Sequence, residues 1–184
     1  SEDDKSSVEV TGNHVYFYNS IDFDTALSLN KTLQEQTNKL LNNARNIGYE
    51  KPVLYLHINS GGGIIHAGTA IMDTINRLKK EVDIYTIIEG RSASAATFVS
   101  CVGTKRFITS NSFMLIHQLS ALSWGKYSEL KDDMDNFDLL MEMIKKIYSE
   151  YTSVPMKDLD EILKHDLYWD SKKCVEYNLV DEII

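Results

Sequence analysis

Four short stretches of the sequence carry residue types that can do acyl-transfer chemistry. The first is Asn59-Ser60-Gly61-Gly62-Gly63. Glycines there let the backbone approach a ligand and aim N–H groups at an anion or oxyanion. The second is Gly90-Arg91-Ser92-Ala93-Ser94-Ala95-Ala96, where a strand pattern gives way to a helix pattern at a serine. A helix N-terminus favours negative charge developing at such a hydroxyl. The third is His117, after the apolar run Phe113–Ile116. The fourth is Asp166, between Lys164-His165 and the aromatic pair Tyr168-Trp169. A nucleophile, a base, an acid that orients the base and backbone donors are the full set for acyl transfer.

Taken singly, each stretch has an ordinary structural role. The glycines make a tight strand–helix turn, Ser92 or Ser94 caps a helix, His117 is a hydrogen-bonded histidine, and Asp166 is a charge at a helix end. Other motifs fit less well. No Lys-Ser or Lys-Thr follows the glycines and they do not space as G-x-G-x-x-G, which argues against a phosphate cradle. Ala96 stands where the G-x-S-x-G elbow has its last glycine. The remaining histidines are less suggestive: His14 and His57 lie in strand patterns, His66 follows the glycines, and His165 sits at a charged helix end.

The elements that must position these residues alternate in type. His14–Tyr18 is β-prone, and Asp22 to about Asn46 is helical, with Leu29, Leu33, Leu40 and Leu41 on one face. Val53–Ile58 reads as a buried strand after Pro52. Ala67 to about Leu78 is helical, with Ile71, Ile75 and Leu78 as its stripe. Val82–Ile88 reads as a strand bounded by Gly90, and Ser92–Ala96 opens a helix that stops near Gly103. Arg106–Thr109 and Phe113–His117 are short strands. The longest helix, about Ser128 to Tyr151, repeats Leu130, Met134, Phe137, Met141, Ile144 and Tyr148. Met156–His165 and Ser171–Tyr177 are shorter helices, Asn178 suits a left-handed helix end, and Leu179–Ile183 closes as a strand. This order predicts an α/β fold with a mostly parallel sheet. Ligands of such sheets bind beyond the carboxyl ends of the strands, which is where the chemistry-bearing stretches fall.

The 184 residues suit one domain, here 1–184, with the long helix and its preceding segment as an appendage. With 43% hydrophobic and 25% charged residues the chain has an ordinary globular composition. Its 19 basic against 27 acidic side chains give a formal charge of −8, which argues against a nucleic-acid or anionic-membrane surface. Cys101 and Cys174 show no metal-ligand spacing, so no metal is expected, and two thiols fit a reducing compartment. No apolar run is long enough for a membrane span, and the polar start is not a secretory signal.

At this point the sequence resembles the proteolytic subunits of the Clp protease family. The motifs are I-N-S-G-G-G-I-I-H-A-G, G-R-S-A-S-A, M-L-I-H-Q, H-D-L-Y-W-D-S and V-E-Y-N-L-V-D, in the family's order and near its spacing. The match is best from Val53 to the C-terminus, and His14–Glu50 matches in pattern only. The resemblance implies the ClpP/crotonase fold of repeated β-β-α units, with a protruding handle over about 119–151 that interlocks two rings. The apolar positions of the long helix, Tyr148 and Tyr151 with them, would then face another ring. It implies a serine endopeptidase acting on unfolded polypeptides: Ser94 as nucleophile, His117 as base, Asp166 orienting His117, and the Gly63 and Ala95 N–H groups as oxyanion hole. Substrate would lie along Gly62 and Gly63 and along Leu119, Ser120, Ala121 and Leu122, within a strand at Leu119–Lys126 that aligns it by β-pairing.

The same resemblance implies heptameric rings stacked as a tetradecamer, paralogous subunits among the partners, and an ATP-dependent AAA+ unfoldase. The subunit itself would need no cofactor, ATP entering only through that partner, and would work in the cytoplasm or an organelle interior. Departures from the family's pattern are Gly61 and Leu119 in place of prolines, Ala95 in place of methionine, and Ser120–Ser123 in place of a glycine-rich stretch. Few residues precede the first strand, leaving little length for axial loops that meet an unfoldase. The alternatives are a catalytically silent subunit of a mixed ring and, further off, a crotonase-type acyl-CoA enzyme.

Overall fold

The computed structural model describes residues 7–47 and 50–184. Strands β1 (Glu9–Thr11) and β2 (His14–Phe17) form a hairpin, and helix α1 (Phe23–Ile47) follows. Then come β3 (Val53–Ser60), α2 (Ile65–Leu78), β4 (Asp83–Ala93), α3 (Ala95–Ser100), β5 (Lys105–Ile108) and β6 (Phe113–Leu115). The C-terminal third holds α4 (Tyr127–Tyr151), α5 (Met156–Leu163), β7 (Trp169–Asp170), α6 (Ser171–Glu176) and β8 (Glu182–Ile183). The eight strands form one sheet in the order β1-β2-β3-β4-β5-β8, with β6 against β4 and β7 against β6. From β2 to β8 the pairings are parallel, as is β4 with β6; the β1–β2 and β6–β7 pairs are antiparallel.

Apolar residues recur at every second position of β3 from Leu54 to Ile58, and Ile84 and Ile88 flank the buried Thr86 in β4. Leu54, Leu56, Ile58, Ile84 and Ile88 are all fully buried, and Ile71, Ile75 and Leu78 of α2 join them in the core. Each such side chain contributes about 1.5–3 kcal/mol of burial. This core holds rigid the strand ends from which the candidate site is built.

Several sequence expectations need correction. Strand β4 does not stop at Gly90; it runs on to Ala93, and Ser92–Ala93 is strand rather than helix. Gly90 has φ 91° and sits in a register break, because Ile58 pairs with Ile88 but Ser60 pairs with Ser92. This is a bulge, which bends a strand without ending it. Before the bend β4 pairs with β5, and beyond it with β6. A β-carbon at Gly90 would lie 2.7 Å from the Asn59 amide, which explains the glycine. Helix α3 is correspondingly short. The closing strand is two residues rather than five, while β1 and β7 are additional.

Segment Leu119–Lys126, expected as a strand, has no ladder, because among the described residues no strand lies alongside it. In α4 only Ile144, Ile147 and Tyr148 are buried, so the apolar stripe is covered at its C-terminal end and bare towards its start. Tyr148 does not face outward: it packs inside this chain, its ring 6.0 Å from that of Phe98.

The end of the chain is held by Arg106. Its guanidinium donates to both Asp181 carboxylate oxygens, to the Tyr151 and Asn178 carbonyls and to the Asn178 side chain. Asn178 takes the left-handed conformation its type permits, with φ 56°. Among the described residues no helix is long and apolar enough to cross a membrane.

Candidate active site

Ser94 stands at the junction of β4 and α3. Its backbone is held on both sides: its N–H donates to the Leu115 carbonyl at 2.9 Å, and its own carbonyl accepts from the Thr97 N–H and hydroxyl. These anchors keep Ser94 at φ 56°, ψ −129°, a region that non-glycine residues rarely occupy. Such strain persists only where the surroundings over-determine it, and it clusters at active sites. The turn aims a half-buried side chain out of the sheet at the start of a helix. Close backbone packing makes this possible. A β-carbon at Gly62 would lie 2.5 Å from the Ala93 carbonyl oxygen and 2.7 Å from Ser94 Cβ.

The glycine loop crosses directly over this turn. The Ile21 N–H donates to the Gly62 carbonyl, and the Ile64 N–H donates to the Ile21 carbonyl, both at 2.8 Å. The intervening Gly63 has φ 150°, and a β-carbon there would sit 2.0 Å from the Ile21 oxygen. Among the described residues neither the Gly63 nor the Ala95 N–H meets an acceptor. Two free amides beside one hydroxyl are what an oxyanion requires.

His117 follows β6, which pairs with the same stretch of β4 that leads into Ser94. Its Nδ1 lies 3.1 Å from Asp166 Oδ1. With Nδ1–H donated to the carboxylate, Nε2 is left as the acceptor. Asp166 is 79% exposed and lies in the irregular segment between α5 and β7. Ser94, His117 and Gly63 line one cavity of about 80 Å³, walled by Ile65, Phe98, Leu119, Ile144 and Tyr148. No hydrogen bond joins Ser94 to His117 among the described residues; catalytic bonds are often long in an empty site. A larger cavity of about 530 Å³ continues from Gln118 and Leu119 past Ala121 and Ser123, against Met134, Phe137 and Met141 of the long helix.

The fold therefore gathers Ser94, His117, Asp166, Gly63 and Ala95 from distant parts of the chain. Gly62 packs against the Ala93–Ala95 turn, and Leu119 and Ser120 line the cavity. Ala121 borders the larger cavity, while Leu122 is 90% exposed and touches neither. Sequence reasoning passed over the Thr97–Tyr148 hydroxyl pair, 2.7 Å apart, whose Tyr148 lines the smaller cavity. Burial pushes the Tyr148 phenol well above its ordinary value, keeping it a neutral donor. Only its place in the helical stripe marked Tyr148. Also unforeseen is a chain of contacts across the sheet. His14 Nδ1 meets His57 Nε2 at 2.8 Å, His57 Nδ1 meets Glu89, and the Tyr18 hydroxyl donates to Glu89. Burial and the neighbouring carboxylate push Tyr18 up to about 12. Among the described residues no group of three or more His, Cys, Asp or Glu side chains is placed to hold a metal ion.

Such a site, on a parallel sheet behind a strained serine, defines a serine-type peptidase class, and comparison with known proteins agrees. The model of the Clp protease family matches residues 17–184, and the chain belongs to that family, whose proteolytic subunits are serine-type peptidases. The chain is 33% identical over 132 residues to the ATP-dependent Clp protease proteolytic subunit of Oltmannsiellopsis viridis, covering 71% of this chain and 67% of that one. It is 32% identical over 133 residues to the ATP-dependent Clp protease proteolytic subunit 2 of Parasynechococcus marenigrum (strain WH8102), covering 71% and 66%. The aligned segment thus spans about two thirds of each relative.

Proposed function

We propose that this protein is a serine endopeptidase that cleaves peptides and unfolded polypeptides through an acyl-enzyme, as one peptidase domain with a handle over about 119–151. The observation that carries the reading is that Ser94, His117 and Gly63 line one cavity, with Asp166 against His117 Nδ1 and the free Ala95 amide next to Ser94 in the chain. Ser94 Oγ attacks the scissile carbonyl carbon while His117 Nε2 takes its proton. Asp166 holds the imidazole by Nδ1 and stabilises its positive charge. The carbonyl oxygen becomes an oxyanion between the Gly63 and Ala95 N–H groups. His117 then protonates the leaving amine, and water, deprotonated by the same imidazole, releases the acid and restores Ser94. No cofactor takes part in these steps.

Substrate backbone would run between the Gly62–Gly63 loop and the Leu119–Leu122 segment. The Leu119 N–H already donates to Met141 Sδ, and the backbone groups of Ser120–Leu122 would acquire their partner from the substrate. The subunit would assemble as stacked heptameric rings, alone or with paralogous subunits, and receive chains from an ATP-driven unfoldase. The relatives' names call them proteolytic subunits of an ATP-dependent Clp protease, which supports the reading that ATP enters through a partner.

The test is covalent labelling with a fluorophosphonate followed by peptide mapping. The expected result is a single adduct on Ser94, lost in His117→Ala, with Ser94→Ala inactive on fluorogenic peptides. Peptide cleavage that survives Ser94→Ala would overturn the reading.

A further inference from the structure

Arg91 connects two loops that the chemistry depends on. It lies on β4, three residues before Ser94, and is paired with Phe113 of β6. Its guanidinium rests on Gly61, the first residue of the glycine loop: a β-carbon at position 61 would lie 2.8 Å from Nη2 and 3.1 Å from Cζ. Any residue but glycine would push the guanidinium away. Its Nη1 donates to the Tyr168 hydroxyl at 3.2 Å. Tyr168 is two residues beyond Asp166, and its ring stands edge-on to Phe113 with centroids 6.1 Å apart. Among the described residues no carboxylate pairs with Arg91, so the side chain is not held elsewhere.

Gly62 and Gly63 are held through Ile21, whereas the nearest side chain to Gly61 is Arg91, and glycine backbones are the most costly to order. The Asp166 carboxylate is exposed, in a segment with neither helix nor ladder. We infer that Arg91 is a positioning residue, clamping the oxyanion loop through Gly61 to the acid loop through Tyr168. The inference rests on the peptidase reading of Ser94. The clamp acts through the placement of the oxyanion and acid loops, so it should govern turnover more than binding. A misplacement of about 1 Å in a catalytic group can cost about a hundredfold in rate.

The experiment is peptide-cleavage kinetics on the assembled protein, with fluorophosphonate labelling of Ser94 in parallel. Arg91→Gln is expected to lower kcat about tenfold and leave KM within about twofold. Arg91→Lys should not restore it, because one ammonium cannot cover Gly61 and reach Tyr168 together. Tyr168→Phe should lower kcat less, and combining it with Arg91→Gln should cost no more than Arg91→Gln alone. The contacts lie near the surface, so all variants should keep the wild-type melting temperature. Wild-type kcat in Arg91→Gln, losses that multiply independently, or a change in KM alone would overturn the clamp. A wild-type protein that neither labels at Ser94 nor cleaves peptide would overturn the peptidase reading, and the clamp with it.

Discussion

Ser94 occupies a backbone region whose cost for a non-glycine residue is about 1–3 kcal/mol. Its two sides are pinned by Leu115 and Thr97, so the strain stays whatever the side chain does. This makes a clean comparison of two inactive variants. Ser94→Ala keeps the strain, whereas Ser94→Gly removes it at the expense of about 0.4–1 kcal/mol of extra unfolded-chain entropy. Ser94→Gly should therefore be more stable than Ser94→Ala by about 1 kcal/mol, the reverse of the usual order. In a chain of this size that is a rise of about 2–4 °C in melting temperature, compared at equal protein concentration. An unchanged or lower value for Ser94→Gly would mean that the turn is not strained.

The same residue shows what was legible beforehand. Residue types marked a serine at Ser92 or Ser94, His117 and Asp166 as candidates, and only the family resemblance singled out Ser94 and gave the three their roles. The bulge at Gly90 was not legible, since a glycine ending a strand and one bending it look alike in sequence. Nor was the Arg91–Tyr168 contact, whose partners are 77 positions apart and meet only through the β4–β6 pairing.

At the scale of elements, the two-residue strand β8 is too short to hold itself, and Arg106 secures it. Burial opposes the charge on Asp181, but the Arg106 hydrogen bonds and positive charge outweigh that and hold the carboxyl below its ordinary value. A carboxyl depressed in the folded state contributes stability above the unfolded pKa of about 3.9. That contribution is lost as pH falls through the lower folded value. Asp181→Asn should therefore cost about 1–2 kcal/mol at pH 7, a modest figure because Asp181 is partly exposed. Melting temperatures of the two proteins should differ by a constant amount between pH 7 and 5 and converge below pH 4. A gap that widens on acidification would show that the ion pair is not what docks β8. Sequence order foresaw a closing strand here, but not its dependence on a buried arginine, because Arg106 lies 75 positions away from its partner.

For the whole molecule, the question is what covers the start of α4 and the segment before it. Leu122, Trp124 and Tyr127 are each at least 84% exposed, and Leu139 of α4 is 70% exposed. A run of large apolar side chains this bare is uncommon on a solitary chain and marks a contact surface. Burying Trp124 alone is worth about 3 kcal/mol. In the proposed assembly a second ring would supply that cover, and the segment that carries these residues is the one that also walls the cleft at Leu119 and Ser120. Losing the ring contact should then disturb the site as well. The double variant Leu122→Asp with Trp124→Glu places like charges on the surface, which two facing copies would have to bury unpaired. It should sediment as a smaller particle than wild type, keep its far-ultraviolet circular dichroism, and lose at least about tenfold in peptide cleavage. Sedimentation is the reading that reports assembly, because Leu122 also belongs to the segment proposed to hold substrate. A double variant that sediments and cleaves like wild type would leave the handle without a role in assembly. A wild-type chain that sediments only as monomer at micromolar concentration would remove the ring itself.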